Sequence, residues 1–299
     1  MIIPVILFTY KRLDVLEKTL ECLRDNGVTQ LIVYSDAAKT EKDMHEVQTV
    51  REHLSQLDWC EVERHDRREN WGLGKNIMAG VAEVLERHEA VLVWEDDLIC
   101  VPGTYTYLCA ALEAYRNDPR VMSVTGWTNR HITPAGVGVE PYFDGRAECL
   151  VWGTWRRVWQ GMMEATAMDK MKVISARGDS PYHYGGDLPN MAKYEKERNI
   201  WAVRFLYHHL LHKGLCLRPP WSMVEHIGFD ERATNAAGTK SWLENGELRA
   251  CPPVPSVWPE PAENPRCAAL HRKMCPRPWS DVFPWGVRML RRLQASIRR

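Results

Sequence analysis

The chain has 299 residues, enough for one large α/β domain or two smaller ones. Its 39 Lys+Arg balance its 39 Asp+Glu, which argues against a nucleic-acid binder held by bulk charge. No apolar run approaches the roughly 18 residues of a membrane span, and nine cysteines without a Cys-x-x-Cys spacing argue against a zinc site or a disulfide framework.

Ile2 to Phe8 is an apolar run that predicts a first strand. It is too short for a signal h-region, so a cytoplasmic protein with reduced thiols is expected. A polar turn, Thr9 to Arg12, follows. Leu13, Leu16, Leu20 and Leu23 then recur at helical spacing, with Asp14 and Glu17 resembling a capping box and Asn26-Gly27 as the stop. Leu31 to Ser35 predicts a second strand that ends at Asp36. A carboxylate at such a tip accepts bonds from a base or ribose, or it caps the next element; both readings stand. Glu41 to Leu57 reads as a polar amphipathic helix and Trp59 to Glu63 as a short third strand.

Asn70 to Asn76 carries Gly72 and Gly74, which let backbone approach a ligand closely, with Asn70, Lys75 and Asn76 as donors. It lacks the third glycine of a dinucleotide fingerprint. Ala90 to Trp94 is a buried strand that stops against three acids, Glu95, Asp96 and Asp97. In open α/β sheets such carboxyl ends open into the ligand crevice. Three carboxylates there repel one another unless a cation joins them. A divalent ion carried by a nucleoside diphosphate is one answer, and a solvated acidic turn is the other. A helix bearing Leu108, Leu112 and Tyr115 and a strand, Val121 to Thr125, continue the alternation, which predicts a mostly parallel, doubly wound sheet.

Beyond residue 127 the pattern changes. Thr128 to Gly145 is loop-like, Leu150 to Trp159 holds three tryptophans, and Asp179 to Pro189 is rich in Gly, Pro and Tyr. Asn199 to Leu211 predicts a helix on which His208, His209 and His212 are expected at the surface, and Leu215 to Arg218 predicts a strand. Trp152 and Trp155 offer either a sugar platform or core, and Arg204 pairs with either a phosphate or an internal acid. Nine prolines between residues 250 and 284 predict an extended arm. Residues 286–299 form a basic amphipathic stretch suited to an anionic membrane surface or to docking on protein.

In order and spacing, several pieces resemble the GT-A glycosyltransferases, nucleotide-sugar-dependent enzymes of the glycosyltransferase family 2 type. They are Phe8 to Arg12, Asp36, Asn70 to Asn76, Glu95 to Leu98, Trp152 to Trp155, Cys216 to Pro219 and Ile227 to Asp230. The acidic tip is most similar to the branch of the N-acetylglucosaminyltransferase I enzymes and their bacterial relatives. The resemblance runs over residues 2–236. It implies a GT-A, Rossmann-like α/β fold over residues 1–249, with a nucleotide-sugar half (1–127), an acceptor half (128–249) and a C-terminal arm and helix (250–299).

It also implies site roles. Thr9, Tyr10 and Arg12 would line the nucleotide pocket, Asp36 would contact the base, and Asn70, Gly74 and Asn76 would flank the diphosphate and ribose. Glu95 and Asp96 would face the donor, and Asp97 would ligate Mn²⁺ or Mg²⁺, joined by His226. The implied partners are a nucleotide-sugar donor and a glycan or lipid-linked acceptor. The family's catalytic aspartate pair is expected just after Trp201, where this sequence has Ala202 and Val203. Asp187 is the substitute expected to act as base in an inverting transfer. A sugar nucleotidyltransferase shares the topology but expects glycine directly after the first strand, and a non-catalytic glycan-binding descendant is the third possibility.

Overall fold

The computed structural model describes residues 3–232 and 248–278; the basic stretch predicted at 286–299 lies outside them. The strands are β1 (Val5–Thr9), β2 (Gln30–Ser35), β3 (Glu61–Asp66), β4 (Ala90–Glu95), β5 (Leu98–Cys100), β6 (Val121–Thr125), β7 (Tyr142–Asp144), β8 (Trp152–Trp155), β9 (Leu215–Arg218) and β10 (Val224–His226). The helices are α1 (Leu13–Asp25), α2 (Met44–Ser55), α3 (Gly72–Leu85), α4 (Thr104–Ala114), α5 (Arg156–Trp159), α6 (Ala167–Ala176), α7 (Asp187–Lys193), α8 (Ala202–His212) and α9 (Cys267–Met274).

Eight strands form one sheet in the order β3-β2-β1-β4-β8-β6-β9-β7, and β5 pairs with β10 in a small second sheet. All strands of the large sheet run one way except β7 and β8, which pair antiparallel. This is the mostly parallel α/β sheet expected. Every residue of β1 and β6 is buried, as strands covered by helices on both faces require. Strands from both predicted halves share the sheet, and β8 inserts between β4 and β6.

Local departures have local causes. Helix α1 starts at Leu13, so Asp14 lies in its first turn and not at its cap; Arg12 at the cap position makes no side-chain cap bond. Asn26 and Gly27 (φ +70°) end it as expected. The edge strand β3 is polar and only half buried, which blurs its period and displaced its predicted bounds. Helix α3 begins at Gly72, inside the predicted loop. Trp152 and Trp155 are core. Trp152 stacks on Trp159 and Trp201 at ring distances of 5.8 and 5.2 Å, so neither forms a sugar platform. His208 and His209 are buried, against the expectation of surface histidines. His208 Nε2 meets the Val158 carbonyl, and His209 meets Ser123 Oγ and the Phe205 carbonyl. Arg204 pairs with an internal acid, Glu195.

The described part of the arm packs against the fold. Trp258 meets Tyr107 and Tyr115 edge-on, and Asn264 N donates to the Phe143 carbonyl. Helix α9 forms in the proline-free window between Pro265 and Pro276, where an extended chain was expected. It anchors through His271, whose Nε2 lies 2.7 Å from Asp144 Oδ2. Arg218 Nε lies 2.9 Å from the same oxygen, and all three side chains are almost fully buried.

Candidate active site

The carboxyl ends of β1, β2 and β4 lie side by side, because β1 pairs with both of the others. The ladder continues past β4, where Asp96 N donates to the Phe8 carbonyl, and past β2, where Asp36 N donates to the Thr9 carbonyl. Strand order alone therefore brings together Thr9 to Arg12, Asp36 and Glu95 to Asp97.

The acidic tip is desolvated. Burial, followed by Asp97, pushes Glu95 well above the usual carboxylate range. The same causes push Asp96 up to about 7. Asp96 Oδ2 accepts the Tyr10 backbone N–H at 2.9 Å. Asp97 has its own counter-charge: Arg12 Nη2 sits 2.5 Å from its Oδ2, and Arg12 Nη1 donates to the Gly228 carbonyl at 3.0 Å. The other oxygen, Asp97 Oδ1, is buried without a hydrogen-bond partner. His226 Nε2 lies 3.7 Å from Oδ2. Its Nδ1 accepts the Gly228 N–H, so the neutral ring carries its proton on Nε2. To ligate a metal, His226 would give up its Gly228 bond, either using Nδ1 directly or moving its proton to Nδ1 to free Nε2. Gly228 is required here, because a side chain would collide with both Asp97 and Arg12.

Asp36 anchors a second cluster. Its Oδ1 accepts from Ala37 N and Trp71 N, at 3.0 and 2.9 Å. Its Oδ2 accepts from Gly72 N and Asn70 Nδ2, at 2.8 and 3.1 Å. The carboxylate thus organises the turn that starts α3. Asn70 also donates to the Ala37 carbonyl, and Asn76 Oδ1 accepts from Arg67 Nε. The close approach that Gly72 and Gly74 permit is made by this chain's own Asn199 (φ +53°), whose carbonyl would meet any side chain at position 74. The Tyr10 hydroxyl faces away, toward Asp43 and the Lys39 N–H.

Asp187 stands elsewhere, at the start of α7. Both its oxygens are engaged by Arg146, at 3.1 and 2.7 Å. The expected base is thus ion-paired, with the side chain 28% exposed and lone pairs left on both oxygens. Several residues here escaped the sequence reading. Arg67 stacks on Trp71 at 4.0 Å while binding Asn76. Glu148 precedes β8, and its Oε2 lies 3.5 Å from Arg218. Single charged residues in loops leave no periodic signal, and only Gly228, inside a quoted motif, was findable. A cavity of about 260 Å³ lined by Gly145, His183, Tyr184, His209 and Glu263 lies at the start of β9, away from these strand ends.

Among the described residues no three His, Cys, Asp or Glu side chains converge on one metal position. A cation that arrives with a diphosphate needs only one or two carboxylates. Asp97, with a buried unpartnered oxygen, fits that use. Residues 5–130 match the family model for Glycosyl transferase family 2. The match takes in β1 to β6, Asp36 and the acidic tip, and stops short of Asp187, Arg218 and His226. Comparison with curated proteins returned no match. Similar solved structures include a mannosyltransferase from Pyrobaculum calidifontis in complex with GDP-Man and Mn²⁺. It is 15% identical at a TM-score of 0.39, over 54% of this chain and 46% of that one. S. aureus TarS is 12% identical at a TM-score of 0.37, over 55% and 30%. A UDP-glucose pyrophosphorylase complexed with UDP-glucose is 11% identical at 0.39, over 74% and 91%. The chain spans less than half the length of the first two.

Proposed function

We propose that this protein is a metal-dependent glycosyltransferase that moves a sugar from a nucleotide-sugar donor to a glycan or lipid-linked acceptor. The observation that carries the reading is Asp97: a carboxylate at the carboxyl end of β4 with one buried oxygen unpartnered, beside the tips of β1 and β2. Mn²⁺ or Mg²⁺ held there would neutralise charge growing on the nucleoside diphosphate as the glycosidic bond breaks. Arg12 supplies a second positive group for the diphosphate. Asp36 sets the Asn70–Gly72 turn that walls the crevice, and the half-buried Glu95 and Asp96 flank Asp97 at the tip. Within the family we place the chain near the N-acetylglucosaminyltransferase I branch, with an inverting transfer and a role in bacterial surface polysaccharide assembly. No described helix is long and apolar enough to cross a membrane; for residues 286–299, outside the described residues, we propose contact with an anionic membrane surface or docking on protein.

The test is release of nucleoside diphosphate from a panel of nucleotide sugars, with and without Mn²⁺. Wild type should turn over at least one donor in a metal-dependent way, and Asp97→Ala should lose that turnover by 100-fold or more, about 2.7 kcal/mol. An active Asp97→Ala enzyme removes Asp97 from the metal role. Pyrophosphate release from a nucleoside triphosphate and a sugar 1-phosphate, supplied in a parallel assay, would point to a nucleotidyltransferase, and donor binding without turnover to a non-catalytic descendant. Product anomeric configuration by NMR decides between inversion and retention.

A further inference from the structure

We infer that Arg12 is a resident counter-ion that competes with the divalent cation for Asp97, and that a nucleoside diphosphate relieves the competition. Metal and donor would then bind as a coupled pair. The inference rests on the donor-and-metal reading above. Arg12 Nη2 is 2.5 Å from Asp97 Oδ2, and the two side chains are each only 12% exposed. The guanidinium is held from its other side by the Gly228 carbonyl at 3.0 Å, with Asp230 3.8 Å away. The negative charge of Asp97 is therefore already balanced. A divalent ion approaching the free protein meets a buried monovalent cation a few ångströms away and gains no uncompensated carboxylate.

A diphosphate changes this balance. Guanidinium groups bind phosphate oxygens as readily as carboxylates, often bidentately. Arg12 can exchange Asp97 for a phosphate oxygen by turning its fork about Nη1, which keeps its bond to the Gly228 carbonyl. Asp97 is then free for the metal, and the diphosphate supplies the remaining oxygen ligands. Coupling of this kind is reciprocal: the metal must tighten diphosphate binding by the same factor.

The experiment is Mn²⁺ binding to the full chain, read by electron paramagnetic resonance of free Mn²⁺, with Mn²⁺ alone and with UDP or GDP added. Wild type should bind Mn²⁺ weakly alone and roughly 10-fold or more tightly with the matching nucleoside diphosphate. Arg12→Gln should bind Mn²⁺ alone roughly 10-fold more tightly than wild type and show a smaller gain from the diphosphate. Arg12→Lys keeps the charge and should stay near wild type for Mn²⁺ alone. Arg12→Met, which retains the aliphatic stem, repeats the test if the glutamine variant melts early. The inference is overturned if wild type takes up Mn²⁺ with a nucleoside diphosphate but the neutral variants bind Mn²⁺ alone no more tightly than wild type does. If no protein takes up Mn²⁺ under either condition, the donor-and-metal reading falls and the coupling falls with it.

Discussion

Asp36→Asn separates two roles that a strand-tip carboxylate can play. In the structure the side chain is 5% exposed and accepts four hydrogen bonds, two on each oxygen. An asparagine keeps the shape but has only one acceptor oxygen. Whichever way its amide turns, the NH₂ faces two donors, Gly72 N and Asn70 Nδ2 or Ala37 N and Trp71 N. Two hydrogen bonds to a charged group are lost, each worth about 1.5–3 kcal/mol. The expected destabilisation is about 3–6 kcal/mol, less whatever a water molecule restores. Urea denaturation read by tryptophan fluorescence measures it as a shift in midpoint at constant slope. Nucleoside diphosphate affinity should fall alike for every base, because the wall of the crevice loosens. Stability within about 0.5 kcal/mol of wild type, together with a loss confined to one base, would refute this reasoning and make Asp36 a direct reader of the base.

Three further outcomes follow from the packing. Asp144→Asn leaves Arg218 buried without its closest counter-charge; a loss of about 3–5 kcal/mol, or about 5–8 °C in melting temperature at this chain length, is expected by scanning calorimetry, and an unchanged midpoint would contradict it. Burial depresses His208 to about 4 and His209 to about 3. Below the unfolded value near 6.5 the unfolded chain binds more protons, so the contribution of these rings is intact above pH 6.5 and falls with acidification, by up to about 1.4 kcal/mol per pH unit for each ring. Denaturation curves at pH 7, 6 and 5 should show this slope, and His208→Gln should reduce it; a flat profile rules it out. Gly74→Ala should cost about 1–3 kcal/mol by driving a methyl group into the Asn199 backbone carbonyl, read as a lowered midpoint in urea denaturation; an unchanged midpoint would contradict it.

The strands β1, β2, β4, β6 and β9 were legible as apolar runs because a strand covered on both faces needs no alternation. The tip residues were legible because acids at the end of such a run have few other reasons to be there. What escaped depended on the tertiary partner. Gly72 and Gly74 signalled a close approach, but nothing in their neighbourhood of the chain named Asn199, more than a hundred residues on, as the group that approaches. His208 and His212 share a helical face, and the sequence offered no clue that His208 would find the Val158 carbonyl in the core. Asp187 looked like a free carboxylate in a polar loop until Arg146 closed on both its oxygens. The short strand β7 and helix α9 lacked local signal and exist through what they pack on, including the Asp144–His271 contact between them.

The position of β8 has a consequence for biosynthesis. It is the strand that both β4 and β6 pair with, and it is made after either of them. A nascent chain that has emerged only through β6 therefore has one open edge on β4 and both edges of β6 unpaired, since β9 also comes later, and each can recruit a neighbouring polypeptide. Residues 5–130, although they hold the acidic tip, end before that gap is filled. Truncation there should yield a self-associating fragment in place of a miniature donor-binding protein.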